Sequence, residues 1–204
     1  YSEGFFMPIV YGDRLYFRGR DGVTTKYYIY EYDGTAIRTV TPGASDYQEG
    51  FVSPVLFNSK LYFEGENNLP KVNNQQKRIY EFDGVELKNV SVHSGSDYDH
   101  QFACGIVCNS KMYFNGNPSV NLGYGKMYVF DGTDIKSVSA GSSDYNQGFD
   151  GAIVFNSFLY FNARVGNPGK NYMYKFDGVE ISKVSTGTSD YDYGFSFPIV
   201  YNSK

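Results

Sequence analysis

A chain of 204 residues with 21 Tyr, 17 Phe, 23 Gly and no Trp is weighted toward strands and tight turns rather than helices. Its formal net charge is −4, and its nearest basic stretch, residues 71–78, reads as one polar loop, so no nucleic-acid partner is expected. No apolar run reaches the ~18 residues of a membrane-spanning helix, so no membrane span is expected.

Tyr1, Tyr47, Tyr98, Tyr145 and Tyr191 recur at intervals of 46, 51, 47 and 46 residues. A fixed period of about 20–50 residues is the signature of a repeat architecture. Residues 1–204 therefore read as a single array: repeats 1–46, 47–97, 98–144 and 145–190, then a partial fifth repeat, 191–204.

Taken in order, each repeat is entered through a polar turn. Four of these turns are Ser45-Asp46-Tyr47, Ser96-Asp97-Tyr98, Ser143-Asp144-Tyr145 and Ser189-Asp190-Tyr191. An apolar strand follows at 5–11, 51–57, 102–108, 149–155 and 195–201. Its near-continuous apolar character predicts burial on both faces. A two-residue turn comes next, Asn-Ser in four copies and Gly12-Asp13 in the first, suited to the positive φ of tight hairpins. The second strand carries Leu-Tyr-Phe or Met-Tyr-Phe. A loop of variable length then leads to a third strand ending in Asp33-Gly34, Asp83-Gly84, Asp131-Gly132 or Asp177-Gly178. Asp-Gly between two strand-like runs is a strong hairpin signal. The fourth strand, at 36–40, 86–90, 134–138 and 180–184, alternates charged and apolar residues, as an edge strand does. No window shows a 3.6-residue period. The prediction is an all-β fold, a β-propeller of four-stranded antiparallel blades, with four full repeats of 46–51 residues and one extra inner strand.

This unit resembles the kelch-type blade. It is closer to the bacterial extracellular propeller repeats marked by an ELWxxDGT signature, matched here by Ile29-Tyr30-Glu31-Tyr32-Asp33-Gly34-Thr35 and Tyr128-Val129-Phe130-Asp131-Gly132-Thr133. Tyr stands where the signature has Trp, and Val85 and Val179 stand where it has Thr. The resemblance implies blade geometry and an extracellular or cell-surface location. It implies no catalytic residue.

The candidate binding rim is made of Asp46, Tyr47, Asp97, Tyr98, Asp144, Tyr145, Asp190 and Tyr191. Four repeated carboxylates on one rim could take calcium, which binds several oxygens; otherwise each Asp bonds N–H groups of its own turn. The tyrosines could stack on sugar rings; otherwise they pack between blades. No other metal or cofactor is expected. His93 and His100 flank Asp97 and Asp99 as a candidate metal cluster or a solvated loop. Cys104 and Cys108 fall on one strand face about 13 Å apart at ~3.3 Å per residue, too far for a disulfide, and read as core residues. Asn89-Val90-Ser91 is a glycosylation sequon. The loops carrying Asn67, Asn68, Asn73, Asn74, Asn117 and Asn167 differ between repeats and are candidate ligand loops.

With two His and no Gly-x-Ser-x-Gly or His-Glu-x-x-His motif, general-base and nucleophilic constellations are poorly supplied. The expected function is non-enzymatic: protein interaction or assembly. The extra strand, with Phe195, Phe197, Ile199 and Tyr201, would add to a neighbouring molecule and so polymerise the chain. It also reads, first among the three, as part of a longer propeller of about five to eight blades, and last as the tail of a four-bladed ring. The alternative function is a glycan-binding lectin built on the Asp/Tyr rim.

Overall fold

The computed structural model describes residues 3–40, 46–67, 77–90, 98–118, 125–138, 145, 147–165, 170–184 and 199. Among these residues all regular structure is β-strand, with no helix. The first repeat forms β1 (Glu3–Tyr11), β2 (Arg14–Arg20), β3 (Tyr27–Tyr32) and β4 (Ile37–Thr39). The second forms β5 (Tyr47–Phe57), β6 (Lys60–Asn67), β7 (Lys77–Phe82) and β8 (Leu87–Asn89). The third forms β9 (Tyr98–Cys108), β10 (Lys111–Pro118), β11 (Lys126–Phe130) and β12 (Ile135–Ser137). The fourth forms β13 (Gln147–Phe155), β14 (Phe158–Val165), β15 (Lys170–Phe176) and β16 (Ile181–Lys183). Each repeat is one four-stranded antiparallel sheet with its strands in sequence order. The chain divides into two compact units, Tyr1–Gly95 with Asp99–Gly105, and Ser96–Tyr98 with Ile106–Lys204.

The Asn-Ser turns are left-handed at both central residues: φ is 48° and 58° at Asn58 and Ser59, 49° and 57° at Asn109 and Ser110, and 50° and 64° at Asn156 and Ser157. That geometry matches the twist of the flanking strands and explains the tight first hairpin of the second, third and fourth repeats. The Asp-Gly connection is built differently from a two-residue turn. Asp33 Oδ1 accepts the N–H groups of Thr35 and Ala36, both at 2.9 Å, and Gly34 sits at φ 91°. Asp83, Asp131 and Asp177 repeat the pattern. These donors hold all four carboxyls below the ordinary Asp range. Residue 35 and its equivalents supply only a backbone N–H to the Asp. Val85 and Val179, both exposed, therefore replace Thr without loss of the turn.

The core of every sheet is a cross-strand aromatic pair between the second and third strands. Phe17 faces Tyr30, Phe63 Tyr80, Phe114 Tyr128 and Phe161 Tyr174, each pair in direct register. Their rings stack at 21°, 21°, 21° and 24°. The repeated Leu-Tyr-Phe and Ile-Tyr motifs are thus two halves of one contact.

The first strand departs from its predicted burial. β6 is buried along most of its length, whereas β5 is only partly buried. The reason is topological: β1 and β5 lie at the ends of their sheets and pair on one side only. That also accommodates Pro8 and Pro54, which belong on edge strands because they cannot donate to a ladder. These first strands also begin earlier than predicted and carry bulges. Positive φ recurs at Gly4, Gly50, Gln101 and Gly148, and again at Met7, Ser53, Cys104 and Gly151.

Candidate functional site

Three repeated tyrosines of the predicted rim are scaffold. Tyr47, Tyr98 and Tyr145 are 7, 7 and 8% exposed. Tyr47 stands edge-on to Phe63 and Tyr80, Tyr98 to Phe114 and Tyr128, and Tyr145 to Phe161 and Tyr174. Their ring faces are occupied by packing, which corrects the expectation that these three stack on sugars. A Cβ on Gly65 would come within 2.9 Å of both Tyr47 and Tyr80, so the glycine after Leu-Tyr-Phe-x makes room for the rim tyrosine. Where Ala163 takes that place, the Tyr145–Tyr174 centroids open to 5.8 Å, against 5.3 Å for Tyr47–Tyr80.

The hydroxyls of Tyr47 and Tyr145 join neighbouring repeats. Tyr145 Oη accepts the Met127 N–H at 2.9 Å and donates to the Gly148 carbonyl at 2.9 Å. Tyr47 donates to the Gly50 carbonyl at 2.6 Å and is bonded to the Ile29 backbone. Gly50 and Gly148 are the first bulge positions, with φ 97° and 89°. Burial pushes the pKa of Tyr47 and of Tyr145 well above the ordinary phenol value.

Asp46 is likewise occupied. It accepts from the Tyr80 hydroxyl at 3.0 Å and from the Asn89 side-chain amide at 3.0 Å, clasping the start of β5 to β7 and β8. The sequon Asn89 is thus itself tied into the sheet. Asp97, Asp144, Asp190, Tyr191, Phe195, Phe197 and Tyr201 lie outside the described residues, as does His93. Ile199 is described and is 84% exposed. His100 is buried, its Nδ1 3.1 Å from Asp99 Oδ2. Among the described residues no three His, Cys, Asp or Glu side chains gather in a metal-binding group. Both cysteines are free thiols.

Two features among the described residues stand apart from this scaffold, both in the first two repeats. One feature is an uncovered sheet face. Phe5 is 53% exposed, whereas its equivalents Phe51, Phe102 and Phe149 are 0% exposed. Packing within the sheet does not differ: Phe5–Phe17 is 4.9 Å, Phe51–Phe63 4.9 Å and Phe149–Phe161 5.0 Å. Phe51 is covered because β5 packs against β1 and β3 of the preceding repeat. Among the described residues no strand covers Phe5 in this way, and Phe6 and Val10 on the same strand are exposed as well.

The other feature is a cleft of about 320 Å³ where the first repeat meets the second. Arg18 and Tyr27 line it from the first; Glu49, Gly50, Val52, Glu64, Glu66 and Lys77 are among its residues from the second. Arg18 and Glu64 hold the same place, directly after Leu-Tyr-Phe. Glu64, 4% exposed, accepts the Phe102 N–H of β9 at 2.8 Å and pairs with Lys77 at 3.0 Å. A guanidinium cannot accept a hydrogen bond, so Arg18 cannot make the corresponding closure onto β5. It lies over the Tyr27 ring at 4.0 Å instead, and its Nε is buried with no hydrogen-bond partner among the described residues. The motif Leu-Tyr-Phe-x-Gly contained this signal: x is Arg18, Glu64, Asn115 or Asn162 within an otherwise constant frame.

No family model matches the chain, and no curated protein matches it. Solved structures do. The β-propeller domain of the Trilobed protease from Pyrococcus furiosus, described as having an open velcro topology, superimposes with a TM-score of 0.54 at 14% identity, over 87% of this chain and 50% of that one. The fold is a β-propeller. A puromycin-hydrolyzing peptidase from Mycobacterium tuberculosis matches with a TM-score of 0.55 at 10% identity, over 89% of this chain and 31% of that one. The chain thus spans half or less of the length of either structure, and the likeness is one of propeller fold alone.

Proposed function

We propose that this propeller array is a non-enzymatic interaction and assembly module, acting outside the cell or at its surface, whose first repeat receives a further repeat of the same kind from a second copy of the chain. The exposure of Phe5 carries this reading. The same aromatic, held by the same neighbour within its sheet, is fully covered in every other described repeat. Phe6 and Val10, also exposed, add apolar surface on the same strand. Ile199, in the fifth-repeat segment proposed as the assembly strand with Phe195, Phe197 and Tyr201, offers apolar surface at the other end of the sequence. The kelch-like and ELWxxDGT-type pattern supports the location, and the scarcity of histidine supports a role without chemistry.

Light scattering over a concentration series tests the reading, with the parent chain, Phe5→Glu and a form lacking 191–204 side by side. Mass should rise with concentration in the parent and stay at one chain in Phe5→Glu. Loss of assembly on truncation would place the partner surface in the fifth repeat. A parent chain that is monomeric throughout would overturn the proposal.

A further inference from the structure

We propose that the cleft between the first two repeats is a binding site for a neutral, polyhydroxylated ligand, a sugar ring. The proposal is independent of the assembly reading, because the exposed face around Phe5 does not line this cleft.

The charges in the cleft choose the ligand class. Glu64 is neutralised by Lys77 at 3.0 Å, and Glu49 is partnered by Lys26 at 3.8 Å. Two groups remain. Arg18 holds its Nε–H without an acceptor, and Glu66 has no ion-pair or hydrogen-bond partner among the described residues. Arg18 lies on β2 and Glu66 on β6. A compact anion entering the cleft would meet the unpaired Glu66, and a compact cation the unpaired Arg18. Either pays a repulsion that a neutral ligand does not. A hydroxyl both donates and accepts, so adjacent hydroxyls on one ring can take the Arg18 donor and the Glu66 acceptor together.

The space suits this occupant. A volume of about 320 Å³ lies at the small end of ligand clefts, which run from about 300 to 1,000 Å³. Gly50 and Gly65 keep its floor low: a Cβ on Gly50 would lie 3.4 Å from the Gly65 Cα. Because Arg18 covers one face of Tyr27, recognition runs through hydrogen bonds to charged groups rather than through ring stacking. This moves glycan recognition from the buried rim tyrosines to a place where the repeats differ.

Titration calorimetry of the whole chain tests this. The probes are methyl glycosides of glucose, galactose and mannose with the disaccharides cellobiose, lactose and maltose, and glucuronate and glucosamine as charged controls. At least one neutral sugar should bind saturably at a single site and change little with added salt. Arg18→Met should weaken it about tenfold or more, because it removes the donor, and Glu66→Gln about fivefold, because it turns a charge-assisted hydrogen bond into a neutral one. Glu66 has no partner among the described residues, so Glu66→Gln keeps the fold and decides the question even if Arg18→Met melts early. Saturable heat from none of the neutral sugars would overturn the proposal. So would affinity unchanged in Glu66→Gln, or tighter binding of either charged control.

Discussion

The first strands of the first and second repeats, β1 and β5, have the same length class, the same bulges and the same aromatic anchor, yet opposite surroundings. Phe51 is fully covered and Phe5 is 53% exposed, although each lies 4.9 Å from its partner phenylalanine. The repeat therefore specifies its own sheet completely and leaves half of each first strand's burial to whatever precedes it. That is the expected behaviour of a quasi-one-dimensional array, in which neighbours complete one another. It also locates the difference between scaffold and function. Residues that recur serve the sheet and the junction, whereas Arg18 in the place of Glu64 changes what a junction can close.

The comparison breaks most visibly by truncating the two phenylalanines. Phe51→Ala should cost about 3–5 kcal/mol of stability, the usual range for a buried Phe. Phe5→Ala in the monomer should cost about 1 kcal/mol, because half of its surface is already in water. Urea melts of both variants would measure this, and equal losses would mean that β1 is covered in solution.

Tyr145→Phe removes the acceptor of the Met127 N–H and the donor to Gly148 while keeping the ring. A buried N–H without a partner costs about 1–3 kcal/mol. The exposed counterpart is Tyr11, whose hydroxyl donates to the Ser59 carbonyl at 2.9 Å. Tyr11→Phe should cost about 0.5 kcal/mol, since water replaces the partner.

The acid side of the stability profile should follow the Asp-Gly turns. Asp33, Asp83, Asp131 and Asp177 have depressed folded pKa values. Their contribution is therefore complete above the unfolded carboxyl value of about 3.9 and is lost as pH falls below it toward the folded values. The melting temperature should hold between about pH 7 and 5 and then drop. Replacing the four by Asn, which keeps an acceptor oxygen, should flatten that drop. The smallest effect is expected at the bulges. Ser53→Gly copies Gly151 at a left-handed position, φ 51° against 58°, and should gain about 0.5 kcal/mol on thermal melting.

The sheets were legible because their signals are local. Asn58-Ser59 and Asp83-Gly84 fix hairpins by backbone geometry, and Leu61-Tyr62-Phe63 opposite Ile79-Tyr80 sets the ring pair. The sequence leaves the packing of Tyr47, Tyr98 and Tyr145 open between two readings, because repetition alone does not separate a ligand group from a staple. Tyr47 and Tyr145 each bond the preceding third strand, and Asp46 clasps its own sheet, which are structural reasons for a residue to recur. Gly4, Gly50 and Gly148 share one place in the repeat and could have announced the bulges. The partial exposure of β5 had no local signal, because its apolar sequence records contact with the preceding repeat. The cleft was present only as the varied residue of Leu-Tyr-Phe-x-Gly, legible once Glu64 was seen reaching Phe102.

The uncovered first strand is tested most directly by hydroxyl-radical footprinting of Phe5 and Phe51 across a concentration series. The account predicts strong labelling of Phe5 in dilute protein, no labelling of Phe51 at any concentration, and protection of Phe5 as the chains associate. Equal labelling of Phe5 at every concentration, or labelling of Phe51 to the same extent as Phe5, would contradict it.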